Sequence, residues 1–333
     1  MHVHLENISS KPEPFWLTEA LVEQSALSHQ ELACETRFTF GNDLIGIDQP
    51  LSTAEVLVTS SGFVSHPLFP RGGLDVAAPK LQFIHLIDAG VEDVMPLDWL
   101  PANVILTNNS GVHADKAREF LMMALLALNA RLPEILWNQR HARWEQIFTS
   151  LIRGKSLVVI GLGDMGRAAV AAGHALGLKI SGVRRSGEPV PGVERVYVPS
   201  QLHEALRDAD FIVIATPLTP ETRGLVDREA LASAKPGAGW INVGRADVLD
   251  HDALVEFIGD GRVGNAILDV LPQEPLPPSS VLWSSPNLIV NPHVGADDPA
   301  TYMAATMNLV FENLKLQQRG LPLKNVVDRL KQY

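Results

Sequence analysis

The sequence predicts an α/β protein built on two parallel sheets, the larger of them doubly wound. Three observations predict it. Short apolar runs alternate with helix-patterned stretches along nearly the whole chain. From Leu151 the alternation becomes regular, with six strand-like runs in succession. A glycine-rich turn, "VVIGLGDMG", stands between the first of those runs and the helical pattern after it. A chain of 333 residues, 46% of them hydrophobic, is long enough for two domains with separate cores.

In the first hundred residues "HVHLEN", "AEVLVTSSG", "LQFIHLIDAG" and "ANVILTNNSG" read as strands, each ending in Gly, Asn or Ser. Between them "FWLTEALVEQSAL" carries apolar residues at helical spacing and begins just after Pro14. These elements predict a smaller, flavodoxin-like α/β unit over residues 1–108. From His113 to Trp144 the pattern is helical, interrupted at Pro133, and apolar on nearly every side between Phe120 and Leu128. Such a helix needs more cover than one small domain provides. It reads equally as an interdomain core helix or as a subunit interface.

After Leu151 the strands are "LVVIGLG", "KISGVRR", "FIVIAT", "GWINVG", "GNAILDV" and "LIVNPHVG". The helices between them cover Met165–Leu176, "LHEALRDA", "DREALASA" and "DHDALVEFIGDG". Six strands in this alternation predict a Rossmann sheet, in a domain spanning 109–295. The stretch "DDPATYMAATMNLVFENLKLQQRG" is one more helix. It is expected to pack back on the first domain, which then comprises 1–108 and 296–333.

The formal net charge of −11 argues against nucleic acid or an anionic membrane as partner, because either would repel the chain. A single cysteine, Cys34, excludes an intrachain disulfide framework and leaves no metal-ligand cluster. With nothing adjacent to lower its pKa, Cys34 reads as a buried thiol rather than a nucleophile. The segment "MHVHLENISSKPEP" has no apolar stretch of signal type, and no run is long enough to span a bilayer. The expected location is the cytoplasm.

Gly161, Gly163 and Gly166 supply G-x-G-x-x-G between a strand and a helix, the context in which the motif has meaning. The first glycine permits the tight turn, the second lets a pyrophosphate approach the backbone, and the third lets helix and strand pack closely. The helix N-terminus then offers N–H groups to the phosphates. A site selective for NAD places an acid at the end of the second strand, on the ribose 2′-OH. That place is Val183 or Arg184, and no acid occurs from Lys179 through Gly187. Arg184, Arg185 and Ser186 stand there instead. They would attract a 2′-phosphate, so the residues predict NADP, with NAD left open. The bland alternative is that both arginines are solvated surface charge.

Three polar residues follow the last strands. Arg245 comes after "GWINVG", Glu274 lies in "LPQEPLP" after "AILDV", and His293 lies in "NPHVGA". Open α/β sheets bind ligands at these carboxyl ends. Hydride transfer to or from a C–OH/C=O couple needs a proton donor or acceptor, which His supplies near neutral pH. A carboxylate beside it would orient the ring, and a guanidinium can hold a substrate carboxylate by a fork. Each alone has an ordinary structural reading; three at one sheet edge point to a site.

The blocks "GKSLVVIGLGDMG", "TPLTPETRGLVDREALASAKPGAGWINVGR", "GRADVLDHDAL", "AILDVLPQEPLP" and "NPHVGA" resemble the signatures of the D-isomer-specific 2-hydroxyacid dehydrogenase family. The likeness runs almost unbroken from Leu151 to Gly295 and is looser before residue 110, where "HLIDAGVEDV" resembles the family's substrate-carboxylate loop. The resemblance implies that His293 is the acid/base, Glu274 its partner and Arg245 the substrate anchor. It implies that Ala89 and Gly90 offer backbone N–H groups to the carboxylate, and that Asp269 touches the nicotinamide amide. Further cofactor contacts are implied at Asp164 and Met165, at Thr216, Pro217 and Thr222, at Val243 and Gly244, and at Gly295. It also implies a homodimer joined through the nucleotide domain, which favours the interface reading of the Phe120 helix.

The chain departs from the family's pattern in three places. Arg184-Arg185-Ser186 replaces the acid, as in its glyoxylate and hydroxypyruvate reductases. Ala246 takes the third place of the usual G-R-G, and Ala114 stands where many relatives have a Thr near the cofactor. The expected activity is hydride transfer between NADP(H) and a small 2-oxo or 2-hydroxy acid. Formate dehydrogenases of the same superfamily use Gln where Glu274 stands, which counts against that reading. Phosphite oxidation, and a cofactor-sensing binding protein on the same scaffold, remain as alternatives.

Overall fold

The computed structural model describes residues 1–67 and 69–331, and the chain divides into two compact units. One comprises Met1–Val112 with Asp298–Tyr333, the other His113–Asp297.

The first unit holds five parallel strands, β1 (His2–Asn7), β2 (Arg37–Asn42), β3 (Val56–Thr59), β4 (Phe83–Leu86) and β5 (Ile105–Thr107), in the order β2-β1-β3-β4-β5. That is the flavodoxin order, which places the ends of β1 and β3 at a switch point. β3 and β4 are buried throughout, so they appear in the sequence as apolar runs. β2 was not anticipated: it is an edge strand, mostly exposed or half-exposed, and lacks an apolar run. The first α-helix begins at Glu19, later than the apolar pattern suggests. Pro14 lies in a 3₁₀ turn, and the Thr18 hydroxyl caps the helix by accepting the Leu21 N–H. The helix Tyr302–Gln318 belongs to this unit, where Met307, Val310, Phe311 and Leu314 join its core. Cys34 is exposed, contrary to expectation. It ends the short helix Gln30–Cys34, whose one buried side chain is Leu32.

The second unit holds seven parallel strands: β6 (Ser156–Ile160), β7 (Lys179–Val183), β8 (Arg195–Tyr197), β9 (Phe211–Ile214), β10 (Ala238–Asn242), β11 (Val263–Leu268) and β12 (Leu288–Val290). The order β12-β11-β10-β9-β6-β7-β8 is the Rossmann arrangement with one strand added beyond the sixth. The strand missing from the sequence reading is β8, three residues long and at the edge. Asp227 and Asp250 cap the helices Arg228–Ser233 and His251–Gly259, which explains those starts.

The helix Ala114–Asn129 is not apolar on every side in effect. Ala117, Leu121, Ala124, Leu125 and Leu128 pack into the core of their own unit, while Met123 and Leu126 stay 50% and 45% exposed. The break before the next helix falls at Arg131, in the left-handed region at φ 54, and Pro133 sits in that helix's first turn, where its missing N–H costs nothing. Among the described residues no single helix is long and apolar enough to cross a membrane.

Candidate active site

The sheet of the second unit changes direction between β6 and β9, so loops leaving their carboxyl ends diverge and open a crevice. Gly161 follows β6 at φ 93, and a Cβ there would lie 2.8 Å from the Ala215 carbonyl oxygen. A Cβ on Gly166 would lie 1.9 Å from Gly161 O. No side chain fits at either. Gly163, by contrast, faces open space, with nothing within 4 Å of its would-be Cβ. The helix Asp164–Ala175 starts at that open point, so the Asp164, Met165 and Gly166 N–H groups lie in its unbonded first turn. The Asp164 carboxylate turns aside to Arg167 at 2.6 Å.

Thr216, after β9, is 9% exposed, and its buried hydroxyl has no hydrogen-bond partner. A Cβ on Gly244 would lie 2.6 Å from Thr216 O, so the loops after β9 and β10 touch backbone to backbone beside the glycine turn. Thr222 Oγ1 donates to Pro217 O at 2.7 Å and accepts the Thr219 N–H at 2.8 Å, which closes the loop after β9. A tight glycine turn, an open approach and an orphaned hydroxyl fit a dinucleotide.

Arg184, Arg185 and Ser186 follow β7, in a turn closed by Gly187 N–H on Arg184 O at 3.3 Å. One carboxylate oxygen already engages two of them. Glu188 Oε2 accepts from the Ser186 hydroxyl at 3.2 Å and lies 3.9 Å from Arg184 Nη2. The charge of Arg185 contributes to holding the Glu221 carboxyl below its ordinary range, behind the larger effect of the Thr219 hydroxyl bond. The basic side chains of this turn thus lie beside carboxylates of their own unit.

Across the sheet, His293 Nδ1 meets Glu274 Oε2 at 2.7 Å, with side chains 49% and 37% exposed. The other oxygen, Glu274 Oε1, accepts the Leu271 N–H at 2.9 Å, which fixes the carboxylate plane. His293 has φ 55, an uncommon conformation for a side-chain-bearing residue. Asp269 holds that turn in place: Oδ1 accepts from Asn291 Nδ2 at 2.5 Å, Gly295 N at 3.0 Å and Val294 N at 3.2 Å. Its burial pushes the Asp269 carboxyl up, against the pull of those donors. Oδ2 lies against Gly295, where a Cβ would come within 2.7 Å.

Arg245 leaves the end of β10, half-buried, with Nη1 on Gly244 O at 2.8 Å. Its backbone is set by Asn242, fully buried, whose Oδ1 accepts Gly244 N–H at 3.0 Å and whose Nδ2 donates to Arg245 O at 3.1 Å. Asn242 and Asn291 were missed in the sequence. The available signal was an amide side chain at a strand end immediately before the glycine or histidine turn it pins. In the first unit Ala89 and Gly90 lie half-buried just beyond β4.

The family described as D-isomer specific 2-hydroxyacid dehydrogenase, NAD binding domain, matches residues 122–295. A D-3-phosphoglycerate dehydrogenase of Methanocaldococcus jannaschii is 30% identical over 84% of this chain, and the match spans 53% of that longer protein. The glyoxylate/hydroxypyruvate reductase B of Pectobacterium carotovorum is 30% identical over 75% of this chain and 78% of its own length. Among solved structures, the NADPH-dependent glyoxylate/hydroxypyruvate reductase of Sinorhizobium meliloti, in complex with NADP and sulfate, superposes with a TM-score of 0.80 at 25% identity, covering 100% of both chains. With the fold, the glycine turn and these likenesses together, the chain belongs to the D-isomer-specific 2-hydroxyacid dehydrogenases, a family of NAD(P)-dependent enzymes.

Proposed function

We propose that the protein is an NADP-preferring reductase of small 2-oxo acids, of the glyoxylate or hydroxypyruvate class. The observation that carries this reading is the 2.7 Å contact between His293 and Glu274 at the carboxyl edge of the sheet that holds the glycine turn. The names of the similar reductases support the substrate class. Arg184, Arg185 and Ser186 support the 2′-phosphate. The turn around Gly161 and Gly163, the first-turn N–H groups of Asp164, Met165 and Gly166, and the loops carrying Thr216, Pro217, Thr222, Val243 and Gly244 would hold the dinucleotide. Asp269 Oδ2 and Gly295 would lie at its nicotinamide end.

When bound, the nicotinamide supplies hydride to the carbonyl carbon. The chain supplies the rest. Arg245 takes the substrate carboxylate in its planar fork and draws charge toward the adjacent carbonyl oxygen. The N–H groups of Ala89 and Gly90, by the family resemblance, would donate to a substrate carboxylate. Because Glu274 engages Nδ1, the transferable proton of His293 is on Nε2, which delivers it to the carbonyl oxygen as the alcohol forms. One hydride and one proton convert the 2-oxo acid to its 2-hydroxy acid, and imidazolium becomes imidazole.

Residues 1–108 with 296–333 would then serve as the substrate domain and 109–295 as the nucleotide domain. Met123 and Leu126, apolar and half-exposed, suit the helix Ala114–Asn129 to pairing of two subunits in a cytoplasmic homodimer. NADPH oxidation with glyoxylate and hydroxypyruvate, set beside reduction of NADP and NAD with formate and phosphite, tests the reading. Turnover of the 2-oxo acids is expected; turnover of formate or phosphite alone, or of none, overturns it.

A further inference from the structure

Two consecutive asparagines after β5 hold three consecutive carbonyls after β4. Asn109 Nδ2 donates to Ile87 O at 2.9 Å, Asn109 N–H to Asp88 O at 3.1 Å, and Asn108 Nδ2 to Ala89 O at 2.7 Å. All of these residues lie in one compact unit. The peptides joining Asp88, Ala89 and Gly90 are trans, and in a trans peptide the N–H points opposite to the C=O. The bond on Asp88 O therefore sets the direction of the Ala89 N–H. The bond on Ala89 O sets that of the Gly90 N–H.

We propose that Asn108 is a positioning residue for the substrate carboxylate, aiming the Gly90 N–H at it as the Asn109 backbone aims that of Ala89. This rests on the reading of Ala89 and Gly90 as carboxylate donors given above.

Neither amide side chain is free to turn. Asn109, fully buried, also donates to Thr306 Oγ1 at 2.7 Å, and its Oδ1 faces His85 Nε2 at 3.2 Å. His85 Nδ1 faces Thr107 Oγ1 at 2.9 Å. In a neutral His85, Nε2 donates to Asn109 Oδ1 and Nδ1 accepts the Thr107 hydroxyl, in preference to the longer 3.3 Å contact of that hydroxyl with Ile84 O. Complete burial keeps that ring neutral, with its pKa lowered to about 4. Tyr302 Oη donates to the same Ile87 carbonyl.

Asn108 is gripped through its backbone by the C-terminal segment. Its N–H donates to Asn325 O at 3.1 Å, and Asn325 Nδ2 returns bonds to Asn108 O at 3.1 Å and Ser110 O at 2.7 Å. Asn108 Oδ1 accepts the Ser110 N–H at 3.2 Å, so the amide cannot flip without losing both bonds. Asn325 has φ 55, a conformation that glycine also adopts.

The test is steady-state reduction of glyoxylate and hydroxypyruvate by the full chain with NADPH, for Asn108→Ser and Asn325→Gly. Asn108→Ser should raise the KM for the acid about tenfold, the effect of one net hydrogen bond, with kcat and the NADPH KM within about twofold. Methyl esters of the same acids should show no such rise. Asn325→Gly keeps the backbone conformation and removes both clamping bonds, so its KM should rise in the same direction by a smaller factor. An unchanged acid KM in a folded Asn108→Ser enzyme overturns the proposal, as does an equal rise for the esters. Should Asn108→Ser not fold, an unchanged KM in Asn325→Gly overturns it. Arg245→Lys in the same assay separates the two readings: if it raises the acid KM while the asparagine variants do not, only the positioning role fails. If none of the three moves KM, the substrate assignment fails as well.

Discussion

His293 and Glu274 meet through Nδ1 and Oε2 at 2.7 Å, although they are supplied by different loops and His293 sits at φ 55. The contact occupies Nδ1, and on the proposed function Nε2 serves the substrate. His293→Ala should lower kcat by about 10² to 10⁴, the usual contribution of a positioned general acid, with NADPH affinity little changed. Glu274→Ala leaves the ring unheld and should lower kcat in the same direction by less. Stopped-flow measurement of hydride transfer checks both, and wild-type rates in His293→Ala would make the residue structural.

Arg245→Lys keeps the charge and loses the fork. Both KM for the 2-oxo acid and kcat should suffer if, as proposed, anchoring and polarisation use the same guanidinium. Equal activity of wild type toward aldehydes that lack a carboxylate would argue against any such anchor.

The turn after β7 should decide the cofactor. Two charge-assisted contacts to a 2′-phosphate give a preference for NADPH over NADH on the order of 10². Arg184→Ala/Arg185→Ala should lose most of that preference while keeping NADH activity, and its NADPH KM should become less sensitive to salt. Glu188→Gln, which removes the carboxylate resting on Ser186 and near Arg184, should shift the ratio further toward NADPH. Comparison of kcat/KM for the two cofactors measures all three; a wild type indifferent between them would reduce the arginines to surface charge.

His85 should make the fold acid-sensitive. Its pKa falls from 6.5 to about 4 on burial, so between those values the unfolded chain binds a proton that the folded one does not. Stability is full above the unfolded pKa and is lost as pH falls through that window, by on the order of 3 kcal/mol at its lower end. Burial also lowers the pKa of His2 and His251, which adds to the slope with the same sign. Thermal unfolding measured from pH 7 to pH 4.5 should show the decline, and His85→Gln should flatten it. An equal slope in the variant would place the titration elsewhere.

The buried strands, the glycine turn and the family were legible in the sequence because each is local. A strand covered on both faces must be a continuous apolar run, and a turn that presses Gly166 onto Gly161 O excludes every other side chain. The edge strands β2 and β8 were not legible, because one is largely exposed and the other only three residues long, so neither leaves an apolar pattern. Cys34 was misread for a related reason: which side of a five-residue helix faces the core depends on what packs against it. Arg245, Glu274 and His293 could each be marked as polar residues following strands. That Glu274 spends one oxygen on Leu271 and the other on His293, that Asp269 pins the histidine turn, and that Asn108 and Asn109 grip the carbonyls after β4 are decisions of the tertiary structure alone. Hydrogen bonds have direction, and direction is settled only when the parallel strands bring distant loop ends to the same edge of a sheet.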